Sequence, residues 1–347
     1  MKQRLLRDLP LLLLTFSLGA AALALIIRLV GASPVAVSKA LWDGAFGSRY
    51  SLSETLVQTA PLLLTGLGVA VAFRCGLFNI GAEGQFLVGA MAATGVGILK
   101  NVPAVIHLPL LLLAGAAAGA LWSGIAGLLK VYRGVQEVLS TLLLNFVALQ
   151  MLSWMVRGPL QEAQKGFPQS DLIAVPARFV LLAPGTRLHA GVLLALFCAA
   201  LIWFFLRWTA GGFALRAVGS GEGAAEAAGI PVRRTVLATF LLSGALSGLA
   251  GAIQISGVTY LLSDGYSPGY GYTAIAVALL ANLSPLAVVP SALFFGALTA
   301  GSNVVQQRIV GIPSVVVQVL QAVVLLAFLA YAWARERRQR REEGGVA

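Results

Sequence analysis

Residues 54–73 read ETLVQTAPLLLTGLGVAVAF, and the chain continues RCGLFNIGAEGQFLVGA to Ala90. The first of these stretches carries one ionisable group, Glu54, at its start. A run of roughly 20 apolar residues matches a helix crossing a hydrocarbon layer about 30 Å thick. Backbone groups in lipid must be bonded internally, so such a run is a helix. Similar runs occupy 105–129, 189–206, 236–258 and 314–334. Composition agrees: of 347 residues 59% are hydrophobic and only 11% charged, where a soluble domain carries roughly 25% charged residues. Too few polar residues remain to cover a soluble core. A membrane β-barrel would alternate apolar and polar residues in segments of about 10, and nothing here alternates in that way. The expected fold is an all-α polytopic membrane protein forming a single domain over 1–347, with some segments broken or re-entrant.

About ten transmembrane helices are expected. The shorter or less apolar ones lie near 83–99, 137–156, 270–282 and 285–305, and the first covers 9–30. The apolar run Leu9–Ile27 is long for a cleaved signal peptide and reads as that first span. With the N-terminus inside, the cytoplasmic segments hold Lys2, Arg4, Arg7, Arg74, Lys130, Arg133, Arg207, Arg216, Arg233, Arg234 and five C-terminal arginines, fifteen of the 24 basic residues. That bias gives an N-in/C-in topology. The net charge of +11 therefore reads as topology and contact with membrane lipids rather than nucleic-acid binding, with 335–347 a cytoplasmic basic tail and 157–188 an outer loop. The short span 270–282 and its neighbour could instead form a re-entrant pair, which leaves both termini inside. Gly115 and Gly119, like Gly244 and Gly248, sit four residues apart and share a helix face. Such pairs let helices approach closely, within one subunit or between two.

Four segments stand out from this apolar background. Between Phe73 and Ala90 an apolar helix gives way to Phe78, Asn79, Gly81, Glu83, Gly84 and Gln85 before turning apolar again. Glycines disfavour continuous helix, and an acid with two amides at membrane depth needs a cavity or partners. Broken helices of this kind recur where transporters meet their solutes. The other reading is a cytoplasmic turn in which Glu83 opens the next helix against its dipole. Ser140, Thr141 and Asn145, in QEVLSTLLLNFVAL (136–149), sit on nearby turns of a span and face either a solute path or a neighbouring helix. Asn282 ends the short run GYTAIAVALLANLSP (271–285). The fourth segment, RAVGSGEGAAEAAGIPVRRT (216–235), reads as a short cytoplasmic helix stopped by Gly229 and Pro231, which is either a passive connection or, as its length and helical character favour, a helix fit to dock in a groove on a soluble partner.

Several function classes are excluded. The chain has no G-x-x-x-x-G-K-[ST] phosphate loop, so it does not hold ATP by that route. There is no Ser/His/Asp set and no pair of catalytic carboxylates, and two isolated cysteines, Cys75 and Cys198, give no metal spacing. Neither an enzyme nor a metal site is expected. An ion-coupled secondary transporter using Glu83 is the alternative reading.

The stretches FNIGAEGQFLVGA, QEVLSTLLLNF, RAVGSGEGAAEAAGI, GYTAIAVALLANLSP and, last, QQRIVGIPSVVVQVLQ (306–321) resemble the permease subunits of bacterial ABC importers for nucleosides and simple sugars. These importers are served by basic-membrane-protein-type lipoproteins. The resemblance runs in order from about 54 to 334, and Gly221 stands where the wider superfamily commonly has Asn. It implies a multi-pass protein of the bacterial inner membrane, paired with a second, different permease chain. An external substrate-binding lipoprotein delivers solute, and a separate ATPase subunit carries ATP and Mg, so that this chain binds no cofactor. It also implies a coupling segment at about 213–235 with Arg216, Gly219, Glu222, Ala224, Ala225, Ala228 and Gly229 at its contact, and a solute path, purine nucleosides favoured, along Phe78, Asn79, Glu83, Gln85, Ser140, Thr141, Asn145 and Asn282.

Overall fold

The computed structural model describes residues 19–309, together with residue 17 and the isolated positions 319, 322, 323, 326 and 330. The start of the expected span 9–30, most of the span 314–334 and the tail 335–347 lie outside the described residues. The described chain is helical, with only two isolated β-bridges. It divides into two compact units, Met1–Thr55 with Ala297–Ala347, and Leu56–Gly296.

The first unit contains helix α1 (Gly19–Leu29) and α2 (Pro34–Phe46), bent by 108° at the break between them. Gly31, at φ +83, makes the turn, Ser33 caps α2 and Pro34 opens it, a position where a missing N–H costs nothing. Ile27, Val37, Ala40 and Val305 form its core.

The second unit is built from the rest of α3 (Arg49–Arg74), then α4 (Ala82–Gly97), α5 (Ala104–Arg133), α6 (Glu137–Arg157), α7 (Gly191–Trp208), α8 (Ala210–Ser220), α9 (Glu222–Ala227), α10 (Val232–Gln254), α11 (Tyr270–Leu280) and the start of α12 (Pro285–Arg308). α10 ends in a wider turn over Ile255–Thr259. Six of the described helices, α3, α5, α6, α7, α10 and α12, are long and apolar enough to cross a membrane, and the bent pair α1–α2 makes a seventh if it is one span. Of the ten expected crossings, two, near 83–99 and 270–282, are corrected, and most of the one at 314–334 lies outside the described residues. The runs near 83–99 and 270–282 form helices of 16 and 11 residues, about 24 and 16 Å long at 1.5 Å per residue, and neither spans a layer of about 30 Å.

Polarity runs inside out. Ser, Thr, Asn, Gln and Glu side chains are buried, whereas leucines, phenylalanines and tryptophans of α5, α6 and α7 are exposed. Only 22% of the apolar window of α5 is buried, against 67% for α10, so α5 turns most of its surface to lipid or a partner. What lets α10 sit deep is the absence of side chains. A Cβ on Gly119 would lie 2.3 Å from the Gly244 carbonyl oxygen, and one on Gly248 2.3 Å from that of Gly115. The two glycine pairs therefore join α5 to α10 within one subunit.

The loop 158–190 lies across one end of this unit. Its Ala174 N–H donates to Gly97 O at 2.8 Å, and Ile173 N–H to Tyr260 O at 2.9 Å. His189 is buried and stacks on Phe179. Its Nδ1 accepts from the Gly191 N–H at 3.2 Å, which leaves the ring proton on Nε2. Burial, with Arg187 nearby, pushes this imidazole down to about 4.

Gly119→Ala is expected to destabilise the chain by about 1–3 kcal/mol through overpacking. Gly223→Ala, where a Cβ meets nothing within 4 Å, should be neutral or stabilising because alanine favours helix. Paired thermal melts in detergent check both. A second expectation follows from His189, whose folded-state value lies below the 6.5 of an unfolded histidine. The unfolded chain binds the extra proton between these values. Stability is thus complete above about pH 6.5 and falls toward pH 4, by at most roughly 3 kcal/mol. Melts across that range should show the drop in the native chain and a smaller one in His189→Asn.

Candidate functional site

α4 begins in the interior of the unit, and the sequence between Cys75 and Gly81 explains how the chain gets there. Gly76, at φ +76, turns the chain out of α3, and a short non-helical stretch leads to Asn79. Gly81 N–H donates to Asn79 Oδ1 at 2.9 Å and Gly84 N–H to Asn145 Oδ1 at 2.8 Å. Asn145 stands eight residues into α6, about 12 Å along its axis. The first turn of α4 is pinned at that depth. A helix end there exposes N–H groups that no water can satisfy, and side-chain oxygens from Asn79 and Asn145 meet two of them.

The remaining members of the cluster close the set. Asn79 Nδ2 donates to Ser243 Oγ at 2.9 Å, and Gln85 Nε2 donates to Asn79 Oδ1 at 3.0 Å. Ile80 N–H donates to Thr141 Oγ1 at 3.2 Å, and Asn145 Nδ2 to Ile80 O at 2.9 Å. Asn79, Glu83, Gln85, Thr141 and Asn145 are each buried to within about one per cent.

Glu83 belongs to a second junction. Its carboxyl oxygens accept from Ser267 Oγ at 2.9 Å, Gly269 N–H at 3.0 Å and Gly271 N–H at 2.7 Å, so it caps the N-terminus of α11. Because Glu83 also lies in the first turn of α4, two helix N-termini converge on one acidic side chain, where both dipoles favour negative charge. Contact is close: a Cβ on Gly271 would lie 2.1 Å from the Glu83 nitrogen. The two short helices leave this point in opposite directions. α4 ends at Gly97, bonded to the 158–190 loop. α11 ends in the turn where Arg74 Nε donates to Leu283 O at 2.7 Å.

Of the expected path residues, the structure thus brings together Asn79, Glu83, Gln85, Thr141 and Asn145. Ser140 is on the same helix and bonds Glu137 O at 3.2 Å. Phe78 is 56% exposed and packs on Phe73. Asn282 does not join the others: it sits in the turn after α11 at φ +47. Ser243, Ser267, Gly269 and Gly271 complete the site and were not singled out in the sequence. Gly271 opens a conspicuous segment, but nothing local marks it as a partner of a residue 188 positions away.

The end of the unit that carries Arg74 also carries the Lys130–Glu137 ion pair, 2.8 Å, and the α8–α9 segment. Gly219 packs its backbone on the last turn of α3, where a Cβ would lie 1.9 Å from Arg74 O. α9 is exposed apart from Ala225, and Gly229, at φ +79, ends it. Among the described residues no group of three or more His, Cys, Asp or Glu side chains could hold a metal ion.

Residues 51–329 match the family described as branched-chain amino acid transport system / permease component. The chain belongs to this permease family. It is 41% identical over 326 residues to the guanosine ABC transporter permease protein NupP of Bacillus subtilis, covering 93% of each chain. It is 37% identical over 327 residues to the glucose ABC transporter permease protein TsgB13 of Haloferax volcanii, covering 91% of this chain and 85% of that one. A second B. subtilis guanosine permease protein, NupQ, is 29% identical over 70% of this chain and 78% of its own. Permease membership accounts for the missing phosphate loop and catalytic groups: the chain is a transport subunit and not an enzyme. A multi-pass membrane protein acting within an ABC transporter system follows for the same reason.

Glu83→Ala removes both acceptor oxygens, and with them all three hydrogen bonds, at the junction of α4 and α11 and leaves two buried N–H groups unpaired, a loss of about 3 kcal/mol. Glu83→Gln keeps one oxygen but turns an amide N–H₂ toward a donor, so an intermediate loss is expected. Melting temperatures should rank native, Gln, Ala. Native stability in both variants would overturn the capping role.

Proposed function

We propose that this permease is the membrane-spanning subunit of an ATP-driven importer for nucleosides, purine nucleosides favoured, or simple sugars. The observation that carries the reading is the 41% identity over 93% of both chains with a guanosine permease protein. Glucose permease similarity at 37% keeps simple sugars within the solute class. Identity with one guanosine permease protein of B. subtilis well above that with the other favours pairing with a second, different permease chain. The proposed assembly adds a separate ATPase subunit, which holds ATP and Mg, and an external substrate-binding lipoprotein, all at the bacterial inner membrane.

In this proposal the end carrying Arg74, Lys130, Arg133, Arg216, Arg233 and Arg234 faces the cytoplasm, as a surplus of basic residues there favours. The α8–α9 segment, with Arg216, Gly219, Glu222, Ala224, Ala225, Ala228 and Gly229, is the coupling contact. The exposed α9 receives the ATPase subunit, and the backbone contact of Gly219 on Arg74 passes its displacement to the start of the chain leading to Asn79. The solute path runs beside the junction of α4 and α11. Phe78 offers a face for stacking on a base, and Asn79, Gln85, Ser140, Thr141 and Asn145 offer donors and acceptors as the junction changes shape. ATP and the loaded binding protein bias the switch because each binds its two states differently.

The test is uptake into liposomes. The permease is reconstituted with a partner permease, ATPase subunit and lipoprotein, and guanosine, adenosine and glucose are supplied. ATP-dependent uptake of a nucleoside is expected, falling at least tenfold in Gly219→Leu while the assembly still forms. Uptake of sugar alone changes the solute and keeps the machine. Uptake driven by a proton gradient without the ATPase overturns the proposal.

A further inference from the structure

The end of α7, the first half of α8 and the first turns of α10 enclose an open groove of about 450 Å³, which shares α8 with the proposed coupling segment but is lined by none of the residues assigned to its contact. That volume lies within the range of small-molecule sites. Phe205 and Leu215 form its floor, while Ala210, Gly211, Ala214 and Ala238 leave the space that larger side chains would fill. The two hydroxyls on its wall are turned away. Thr235 donates to Pro231 O at 3.1 Å and Thr239 to Thr235 O at 2.7 Å, so each is bonded to its own helix. One charged group remains at the groove, Arg234, which is exposed and has no ion-pair partner among the described residues.

Position tells what occupant this combination fits. Arg207 lies over the Trp208 ring, 5.7 Å from its centroid, at the end of a span, where tryptophan and arginine mark the membrane boundary. Leu201, Phe204 and Trp208, on the same helix as Phe205, and Phe213, on α8, are exposed. The apolar groove is thus continuous with the apolar outer surface of α7, and its single cation stands at the basic end of the unit. α8 itself is a short amphipathic helix, with Gly212, Leu215 and Val218 inward, of the kind that lies along a membrane interface. A soluble partner would meet exposed Glu222 and Glu226 on α9; neither pairs with Arg234.

We propose that this groove is a binding site for an anionic phospholipid. One acyl chain lies on Phe205, Leu215 and Leu242, between the small residues of α8 and α10, and the phosphate pairs with Arg234. Basic pockets between membrane helices at the cytoplasmic face recognise lipid headgroups by this combination of apolar slot and cation.

The full-length chain, purified in detergent and stripped of lipid, is offered phosphatidylglycerol or phosphatidylcholine and examined by native mass spectrometry and thermal melting. One tightly held phosphatidylglycerol is expected, preferred over phosphatidylcholine by about fivefold, the factor that one arginine near an anionic headgroup supplies. Arg234→Ala should abolish the preference and leave acyl-chain binding. Ala214→Phe, which fills the slot, should remove both. Ala238→Phe, on the opposite wall, serves if the first variant fails to fold. Equal retention of the two lipids by the native chain overturns the headgroup assignment, and unchanged retention in the filled variants overturns the site. If lipid leaves and the groove is protected only when the ATPase subunit is added, it is a protein interface and the proposal fails.

Discussion

A helix that begins within a membrane has N–H groups that neither water nor a preceding turn can satisfy, and this protein has two such beginnings at one point. Glu83 answers the requirement for α11 by accepting from Gly269, Gly271 and Ser267, and Asn79 and Asn145 answer it for α4. Each unmet donor would cost about 1–3 kcal/mol, so the short helices exist only while these side chains hold. Polar residues that would be a liability in hydrocarbon become the condition for a broken helix.

The glycines follow from that constraint. α4 has to be shielded along its length, because its polar start cannot face lipid. A Cβ on Gly89 would lie 2.4 Å from Gly248, and one on Gly251 2.2 Å from Phe86 O. α10 therefore presses against α4 on one face and against α5 on another. Small residues at both seams let backbone carbonyls and Cα atoms touch, which is how helices gain packing energy where no hydrophobic effect drives them together.

The long spans were legible because length and apolarity are sufficient signals for a crossing: α5, α7 and α10 fall within a few residues of the runs 105–129, 189–206 and 236–258. The same signal fails for α4 and α11. Their apolar composition is that of a span, and only the depth at which each begins tells them apart, which is set by partners 61 and 188 positions away. α2, with Lys39 and Asp43 among apolar residues, carries no span signal and went unread. In the site, the types at 79–85 announced an unusual segment, and Thr141 and Asn145 were legible as a polar pair on one face. Their roles were not. Acids and amides that meet a solute and those that cap a buried helix look alike in sequence; in the structure Asn79 and Gln85 bond each other, Asn79 and Asn145 cap α4, and Glu83 caps α11.

That distinction bears on how the proposed coupling could work. If Asn79 and Glu83 only received solute, their geometry would be independent of the cytoplasmic segment. They instead hold the ends of two short helices, and only four residues separate Arg74 from Asn79. In the proposed coupling a displacement of Gly219 would reach Arg74, against whose carbonyl it packs, and α11 meets the same residue through Leu283. Both short helices are thus tied to one residue at the end of α3, α4 by the chain and α11 by a hydrogen bond. A closed set of hydrogen bonds between opposed helix ends has few ways to deform gradually. It is kept whole or exchanged for another set, which is the two-state behaviour that a linked network needs in order to carry coupling between distant sites.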